Sequence, residues 1–151
     1  NKLEEQLPLF GNSRVAVVFS DYEKINERGY REGRCVKTPK SVNYSKLLYS
    51  NVIGNLTGIF DVKKVGKVYF QPIHHEDYAF WLSILKKGFI ASSTQHTHAL
   101  YRVRENSVSS RKILVASWQW GIYRDIENIS FWKSCCYFVV YAFKAFKKGM
   151  I

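Results

Sequence analysis

The chain has 151 residues, which fits one domain, and its hydrophobic content of 46% excludes a disordered tail because it is enough to build a core. Its 23 Lys and Arg residues outnumber its 12 Asp and Glu residues, and the net charge of +11 favours anionic partners such as nucleic acid, acidic lipid surfaces or phosphorylated substrates. The three cysteines form no CxxC pair, which favours a reduced, intracellular protein, and a first residue other than Met suggests a processed chain or a fragment.

The first part of the sequence predicts a short helix followed by a β-hairpin. Asn1 with Glu4 three residues later has the pattern of a capping box, and Pro8 interrupts the helix. The run RVAVVFSDYEKI is apolar and β-branched enough for a buried strand, NERG is typical of a turn, and YREGRCVK predicts a second, more polar strand. Ser41 is then a possible N-cap for a short helix that carries Leu47 and Leu48.

The stretch HHEDYAFWLSILKKG has the clearest helix pattern, from Glu76 to Lys87. Acids stand in its first turn, lysines in its last turn, and Gly88 stands where a glycine commonly ends a helix. The free N–H groups and the dipole of the helix start predict an ionised carboxylate with a lowered pKa. Glu76 and Asp77 point about 100° apart, so at most one of them acts on a given bond, and the alternative is that both only stabilise the helix start.

The remaining segments predict strand and then helix. FIASSTQHTHALYRVR alternates like one or two strands, and SVSSRKILVASWQWGIYRDIE favours a helix capped by Ser109 or Ser110. SFWKSCCYFVVYAFKAFKKG is apolar nearly all round and basic, and its apolar centre is about half of the roughly 20 residues that a membrane span needs. Two alternatives stay open for it: a helix packed on the domain, or a basic helix lying on anionic lipid.

The histidines and tryptophans permit two further interpretations. His96 and His98 stand two apart, on one face of a strand, as in some zinc sites. His74 and His75 are adjacent and therefore awkward joint ligands, and no cysteine has ligand spacing, so we expect surface or core histidines and no metal ligands. All four tryptophans lie in apolar segments and no motif of a nucleic-acid module occurs, so we expect no nucleic-acid partner.

Three segments together resemble the C-terminal half of bacterial family-2 glycosyltransferases, which have the GT-A fold: HEDYAFWLSILKKGF, YRVRENSVSS and WQWGIYRDIENIS. The opening NKLEEQL resembles the helix after the Asp-x-Asp loop of that family. The resemblance implies an α/β fold with a mixed sheet, a hairpin and C-terminal helices. It also implies a single domain fragment, in which residues 1–108 form the acceptor-side part and residues 109–151 a C-terminal helical extension.

The resemblance further implies that the nucleotide-binding half and the Asp-x-Asp loop lie outside this chain. A divalent metal, Mg²⁺ or Mn²⁺, is therefore expected in the full-length enzyme but not in this fragment, which is expected to be inactive alone. Matched by position, Asp77 is the base that takes the proton of the acceptor hydroxyl, and Glu76 is its partner. The implied acceptor contacts are Trp81, His75, Asn55 and Thr57, and the implied contacts to the donor phosphates are Tyr101, Arg102 and Arg104. Arg104 stands where many relatives carry a histidine, and a core role remains the alternative for Trp81.

The function implied is that of an inverting glycosyltransferase. It would move a sugar from a nucleotide-sugar donor to a cell-envelope polysaccharide or a lipid-linked acceptor at the cytoplasmic face of the membrane, with peripheral membrane contact through residues 131–149. Removing half of a sheet would expose a strand edge, so a homodimer of the fragment is also expected. The alternative is a basic, non-enzymatic module that binds nucleic acid or an anionic membrane.

Overall fold

The computed structural model describes residues 1–104 and 112–150, and its centre is a mixed five-stranded sheet. The strands are β1 (Val15–Ile25), β2 (Arg31–Val36), β3 (Ser41–Asn43), β4 (Ile59–Phe60) and β5 (Ile90–Arg102). β1 pairs with β2 as an antiparallel hairpin and with β5 in parallel, β3 closes the other side of β5, and β4 pairs with the first part of β1. The predicted α/β fold with a mixed sheet and a hairpin is confirmed.

β1 lies in the middle of the sheet because its first half is apolar on both faces. Each residue from Val15 to Phe19 is at most 3% exposed, as expected for a strand that is covered on both sides. β5 is one strand rather than two, although it is irregular. Gln95 has a φ of 62°, and the pairing with β1 shifts register between Phe19 and Asp21 at this place.

Six helices accompany the sheet in the described residues. They are α1 (Lys2–Gln6), α2 (Tyr44–Leu48), α3 (Val62–Val65), α4 (Glu76–Leu85), α5 (Lys112–Gly121) and α6 (Phe131–Met150), with a 3₁₀ turn at Leu7–Gly11 and a π-helical turn at Ile122–Ile126. The divide predicted between residues 108 and 109 lies outside the described residues, as do the predicted caps Ser109 and Ser110. That division into an α/β part and a helical extension stays a prediction.

Three details of the predicted helices were wrong. Asn1 is the N-cap of α1, as predicted, but its side chain makes no capping hydrogen bond, so the expected capping box is wrong. Ser41 lies in β3, and the cap of α2 is Asn43, whose side-chain oxygen accepts a hydrogen bond of 3.0 Å from the Lys46 N–H. α4 ends at Leu85, so that its two lysines follow the helix in the turn that Gly88 closes with a φ of 94°.

α4 is fixed by a buried core that also holds α2. Tyr78, Leu82 and Ile84 are completely buried. The Tyr78 hydroxyl donates a hydrogen bond of 3.0 Å to the Leu47 carbonyl, and the Tyr123 hydroxyl donates one of 2.6 Å to the Leu48 carbonyl. The Tyr78 contact ties the first turn of α4, where the predicted catalytic residues lie, to α2.

α6 has one face on the domain and one face toward solvent. Ser134 is buried, the Tyr137 ring packs on Tyr49 with centroids 4.9 Å apart, and the Phe138 ring packs on Trp120 at 5.6 Å. The packed-helix interpretation therefore holds for one face. Among the described residues, no helix is both long enough and apolar enough to span a bilayer.

Candidate functional site

A cleft of about 820 Å³ opens between the sheet, α4 and α6. Its walls come from five places in the fold: the hairpin strands with the loop after β2, the segment that follows α2, the first turn of α4, the end of β5, and α6. The polar side chains that line it are Tyr22, Lys37, Thr38, Ser50, Asn51, Asn55, Asp77, Tyr101 and Lys144. Asp77 is the only carboxylate among these lining residues, so it is the candidate for proton transfer.

Asp77 is held at the start of α4 by short-range contacts. His75 precedes the helix in the left-handed conformation, with a φ of 61°. The Asp77 Oδ1 atom accepts a hydrogen bond of 2.8 Å from the Tyr78 N–H, and the Asn51 Nδ2 atom lies 3.5 Å from Oδ2. The second carboxylate oxygen therefore has only one weak protein contact and remains available to a ligand in the cleft.

Burial raises the pKa of Asp77 above its ordinary value. The Tyr78 N–H, the nearby His75 ring and the Asn51 amide oppose this effect, and Glu76 adds to it, but burial dominates. The lowered pKa expected from the helix start was therefore wrong. That expectation considered only the local helix, whereas the carboxyl group loses much of its contact with water through tertiary packing.

The segment after α2 folds into a compact wall of the cleft. Asn51 Oδ1 accepts a hydrogen bond of 3.3 Å from the Ile53 N–H, and the Thr57 hydroxyl donates one of 2.8 Å to the Gly54 carbonyl. The Thr57 carbonyl in turn accepts a hydrogen bond of 2.8 Å from the Gln6 side chain, which is completely buried. α1 thus anchors this wall from behind.

On the hairpin side of the cleft, the buried Asp21 carboxylate forms an ion pair with the exposed Lys37. Asp21 Oδ2 lies 3.0 Å from the Lys37 Nζ atom, and Oδ1 accepts hydrogen bonds from the Thr38 N–H at 2.8 Å and its hydroxyl at 2.7 Å. Burial acts to raise the pKa of Asp21, but the hydrogen bonds from Thr38 and Lys37 together outweigh it and leave the pKa lowered. Lys37 is thereby fixed at the cleft, where Lys144 supplies a second cation.

Three of the residues predicted from the sequence meet in this cleft: Asp77, Asn55 and Tyr101. Asn55 is exposed in the wall after α2, and the Tyr101 ring contacts the Tyr22 ring with centroids 5.8 Å apart. Asn55, one of the implied acceptor contacts, lies within the wall formed by Asn51 to Leu56. The sequence offered no signal for Tyr22, Lys37 or Lys144 as cleft residues.

Three of the implied acceptor contacts, Trp81, Thr57 and His75, lie outside this cleft. Trp81 is 2% exposed, packs edge-on against Phe80 and has no ring face open to a sugar, so it is a core residue in this structure. Thr57 is completely buried and its hydroxyl is used within the turn. The half-buried His75 ring contacts Trp118 outside the cleft.

The charged residues predicted at the site are exposed and outside the cleft lining. Glu76 is exposed at the start of α4, beside Asp77. The Arg102 side chain donates a hydrogen bond to the Glu27 carbonyl, so it braces the turn between β1 and β2. Arg104 is exposed just beyond β5.

The cleft does not fit the divalent metal that the resemblance implies for the full-length enzyme. Mg²⁺ and Mn²⁺ are commonly held by several oxygen ligands, and Asp77 is the single carboxylate among the described lining residues. The chain sequence also contains no Asp-x-Asp motif. The described residues that line the cleft therefore do not by themselves make a site for such an ion.

The mixed sheet, with a carboxylate at the start of a helix beside a polar cleft, fits the resemblance to glycosyltransferases. Comparison with curated proteins confirms that resemblance. The chain is 36% identical over 151 residues to TuaG of Bacillus subtilis, named as a teichuronic acid biosynthesis glycosyltransferase, covering 99% of this chain and 60% of that protein. It is 31% identical to an uncharacterized glycosyltransferase of Haemophilus influenzae, covering 98% of this chain and 59% of the relative.

A third relative carries a more specific name. The chain is 34% identical over 137 residues to the Escherichia coli protein WfgD, named UDP-Glc:alpha-D-GlcNAc-diphosphoundecaprenol beta-1,3-glucosyltransferase, covering 85% of this chain and 51% of that protein. The chain thus spans between half and three-fifths of the length of these relatives. No protein-family model matches the chain, and no solved structure matches it either.

Proposed function

We propose that this chain forms the acceptor-side part of a longer, inverting glycosyltransferase, in which Asp77 is the catalytic base. The observation that carries the proposal is the Asp77 carboxyl group, buried enough to have a raised pKa yet with one oxygen open to a polar cleft. The relatives support the reaction class, since all three are named glycosyltransferases.

Asp77 would act on the acceptor hydroxyl group. As the acceptor oxygen attacks the anomeric carbon of the donor sugar, its proton passes to the free Asp77 oxygen, and the bond from that carbon to the donor phosphate breaks. A single displacement of this kind inverts the anomeric centre and needs only one carboxylate. The raised pKa makes Asp77 a stronger base than an ordinary aspartate, because base strength in general catalysis grows as the pKa approaches the working pH.

The other polar groups of the cleft fit the two ligands of such a reaction. Asn51, which contacts Asp77, and Asn55 offer amide groups to acceptor hydroxyls. Lys37 and Lys144 offer positive charge to phosphate groups, which both a nucleotide-sugar and a diphosphate-linked acceptor carry. The proposed acceptor class is a lipid-linked saccharide or an envelope polysaccharide, and the name of WfgD, with its diphosphoundecaprenol acceptor, supports it.

The proposed location is the cytoplasmic face of the membrane, reached through α6. Trp132, Val139, Phe143 and Phe146 are between 61% and 79% exposed. Because the helix turns by about 100° per residue, these positions lie on one side, opposite the face that packs on the domain. An exposed apolar face on a chain of net charge +11 fits a surface of anionic lipid.

Substituting Asp77 in the longer enzyme tests the assignment of the base. Asp77→Asn keeps the shape and the contacts of the side chain but removes its basicity, so we expect kcat to fall by about 10²–10⁴-fold. Glu76→Gln is the matched control, because it removes the neighbouring, exposed carboxylate. If Asp77→Asn folds normally and retains turnover within a few-fold of wild type, Asp77 is not the base.

A further inference from the structure

Glu5, His96 and His98 form a cluster that the proposed reaction does not use. Glu5 lies on α1, and the two histidines stand two apart on β5. One carboxylate oxygen and one ring nitrogen from each histidine all lie within 4.8 Å of one another. The histidines are on one face of the strand, as the sequence predicts, but Glu5 comes from 91 residues away and was not foreseen as a third group.

Hydrogen bonds pair only some of the polar atoms in this cluster. His96 Nδ1 is hydrogen-bonded to Glu5 Oε2, and this contact lowers the pKa of Glu5. His98 Nε2 lies 3.2 Å from the same oxygen, but not in hydrogen-bonding geometry, and it has no other partner among the described residues. The His98 side chain is only 9% exposed. A buried ring nitrogen without a hydrogen bond is costly, so it needs an explanation.

We propose that Glu5, His96 and His98 bind a divalent transition-metal ion of the zinc type. Imidazole nitrogens and a carboxylate oxygen are common zinc ligands, whereas Mg²⁺ and Ca²⁺ prefer oxygen ligands throughout. Three protein ligands leave the fourth tetrahedral position to a water molecule. With zinc–ligand lengths of about 2.1 Å, two tetrahedral ligands lie about 3.4 Å apart. The 3.2 Å between His98 Nε2 and Glu5 Oε2 is close to that separation.

The surroundings let an ion enter and let the ligands adjust. The side chain of His96 is 68% exposed and that of Glu5 is 40% exposed, so the ion can replace their hydrogen bond while the His96 ring moves outward. The chain has a net charge of +11, which repels cations, so tight binding requires a specific ligand set. The ion would join α1 to β5, and none of its three ligands lines the Asp77 cleft.

Calorimetric titration of the metal-free chain with zinc chloride tests the site. We expect one ion per chain, with a dissociation constant in the micromolar range or below, and a higher melting temperature with zinc. Each of the variants Glu5→Gln, His96→Gln and His98→Gln should weaken zinc binding by at least about tenfold. Even the loss of a residue that only hydrogen-bonds to a metal ligand reduces metal affinity by that factor. Glu4→Gln, which changes the exposed neighbour on α1, is the matched control and should bind as wild type does.

The exposed position of His96 and one further variant make every outcome decisive. His98 is buried, so His98→Gln can perturb folding, but His96→Gln changes an exposed side chain and tests the site without that risk. Cys35 lines a second cleft together with His98, so Cys35→Ser separates a thiol site from the proposed one. The proposal is wrong if the wild-type chain binds zinc only at millimolar concentrations, if His96→Gln binds as well as wild type, or if Cys35→Ser abolishes binding.

Discussion

The Asn51 Nδ2 atom lies 3.5 Å from the Asp77 Oδ2 atom and joins the wall that follows α2 to the head of α4. Asn51 also accepts a hydrogen bond from the Ile53 N–H, and this second contact fixes the orientation of its amide group. The contact is long, and it leaves Asp77 desolvated rather than strongly stabilised as an anion. A carboxyl group in this setting is a better proton acceptor than one with several short hydrogen bonds.

The raised pKa of Asp77 predicts the pH dependence of the reaction. A base acts only when it is deprotonated, so kcat/KM of the longer enzyme should fall as the pH decreases through the pKa of Asp77. We expect this acidic limb to lie above the ordinary aspartate value of 3.8. A pH–rate profile measures it. Glu76→Gln should keep the limb, and the residual activity of Asp77→Asn should lack it. A limb at or below 3.8 in the wild type would contradict the burial argument.

Asp77 and Asp21 should affect stability in opposite directions. The folded chain holds the Asp77 proton more tightly than the unfolded chain, so between 3.8 and its raised pKa the contribution of this group to stability decreases as the pH rises. Asp77→Asn should therefore leave the free energy of unfolding at neutral pH unchanged or increase it. The pKa of Asp21 is lowered, so its contribution is present above 3.8 and is lost as the pH falls through the folded value.

Asp21→Asn should accordingly destabilise the chain at neutral pH. It weakens the contacts to Lys37 and Thr38 in a place where the side chain is only 2% exposed, and a cost of about 1–3 kcal/mol is typical. Urea unfolding of both variants, followed by circular dichroism, measures the difference. Equal destabilisation by the two substitutions would show that their environments are not opposite.

The long strands and helices could be predicted because their signals are local. The apolar run of β1, the turn after it and Gly88 after α4 each mark an element within a few residues. β3 and β4 could not be predicted, because strands of three and two residues have no periodicity and form only by pairing with β5 and β1. Ser41 looked like a cap for the same reason: its pairing with Ser92 is not visible in the sequence.

The family resemblance named the cleft residues only in part. Asp77, Asn55 and Tyr101 were named from it and line the cleft, whereas Trp81, Thr57 and His75 were named in the same way and lie elsewhere. Lys144 reaches the cleft from α6, and the sequence gives no sign of that approach. The direction of the Asp77 pKa shift was missed because the charge of a helix start is a local property, whereas burial depends on the whole fold.

Gly58 should be intolerant of any side chain, since it packs against the Trp81 ring. A Cβ atom at Gly58 would lie 2.6 Å from the Trp81 Cζ2 atom, which is closer than packed atoms allow. Trp81 is buried and cannot move aside, so Gly58→Ala should destabilise the chain by about 1–3 kcal/mol. Gly11→Ala is the matched control, because a Cβ atom there has no neighbour within 4 Å. Thermal unfolding compares the two, and equal melting temperatures would refute the packing argument.

The outer face of α6 should bind anionic membranes. We expect the chain to co-sediment with vesicles that contain phosphatidylglycerol, less with pure phosphatidylcholine vesicles, and less again at high salt, because lysines attract the anionic surface while aromatic rings enter it.

Burying one aromatic ring contributes about 1.5–3 kcal/mol, so the double variant Trp132→Ala, Phe146→Ala should weaken binding at least about tenfold. Tyr69→Ala is the control, because Tyr69 is 77% exposed and lies in a loop outside α6. Equal binding by the double variant and wild type would exclude this face as the lipid contact. Salt-dependent binding to RNA, with none to vesicles, would favour the nucleic-acid module instead.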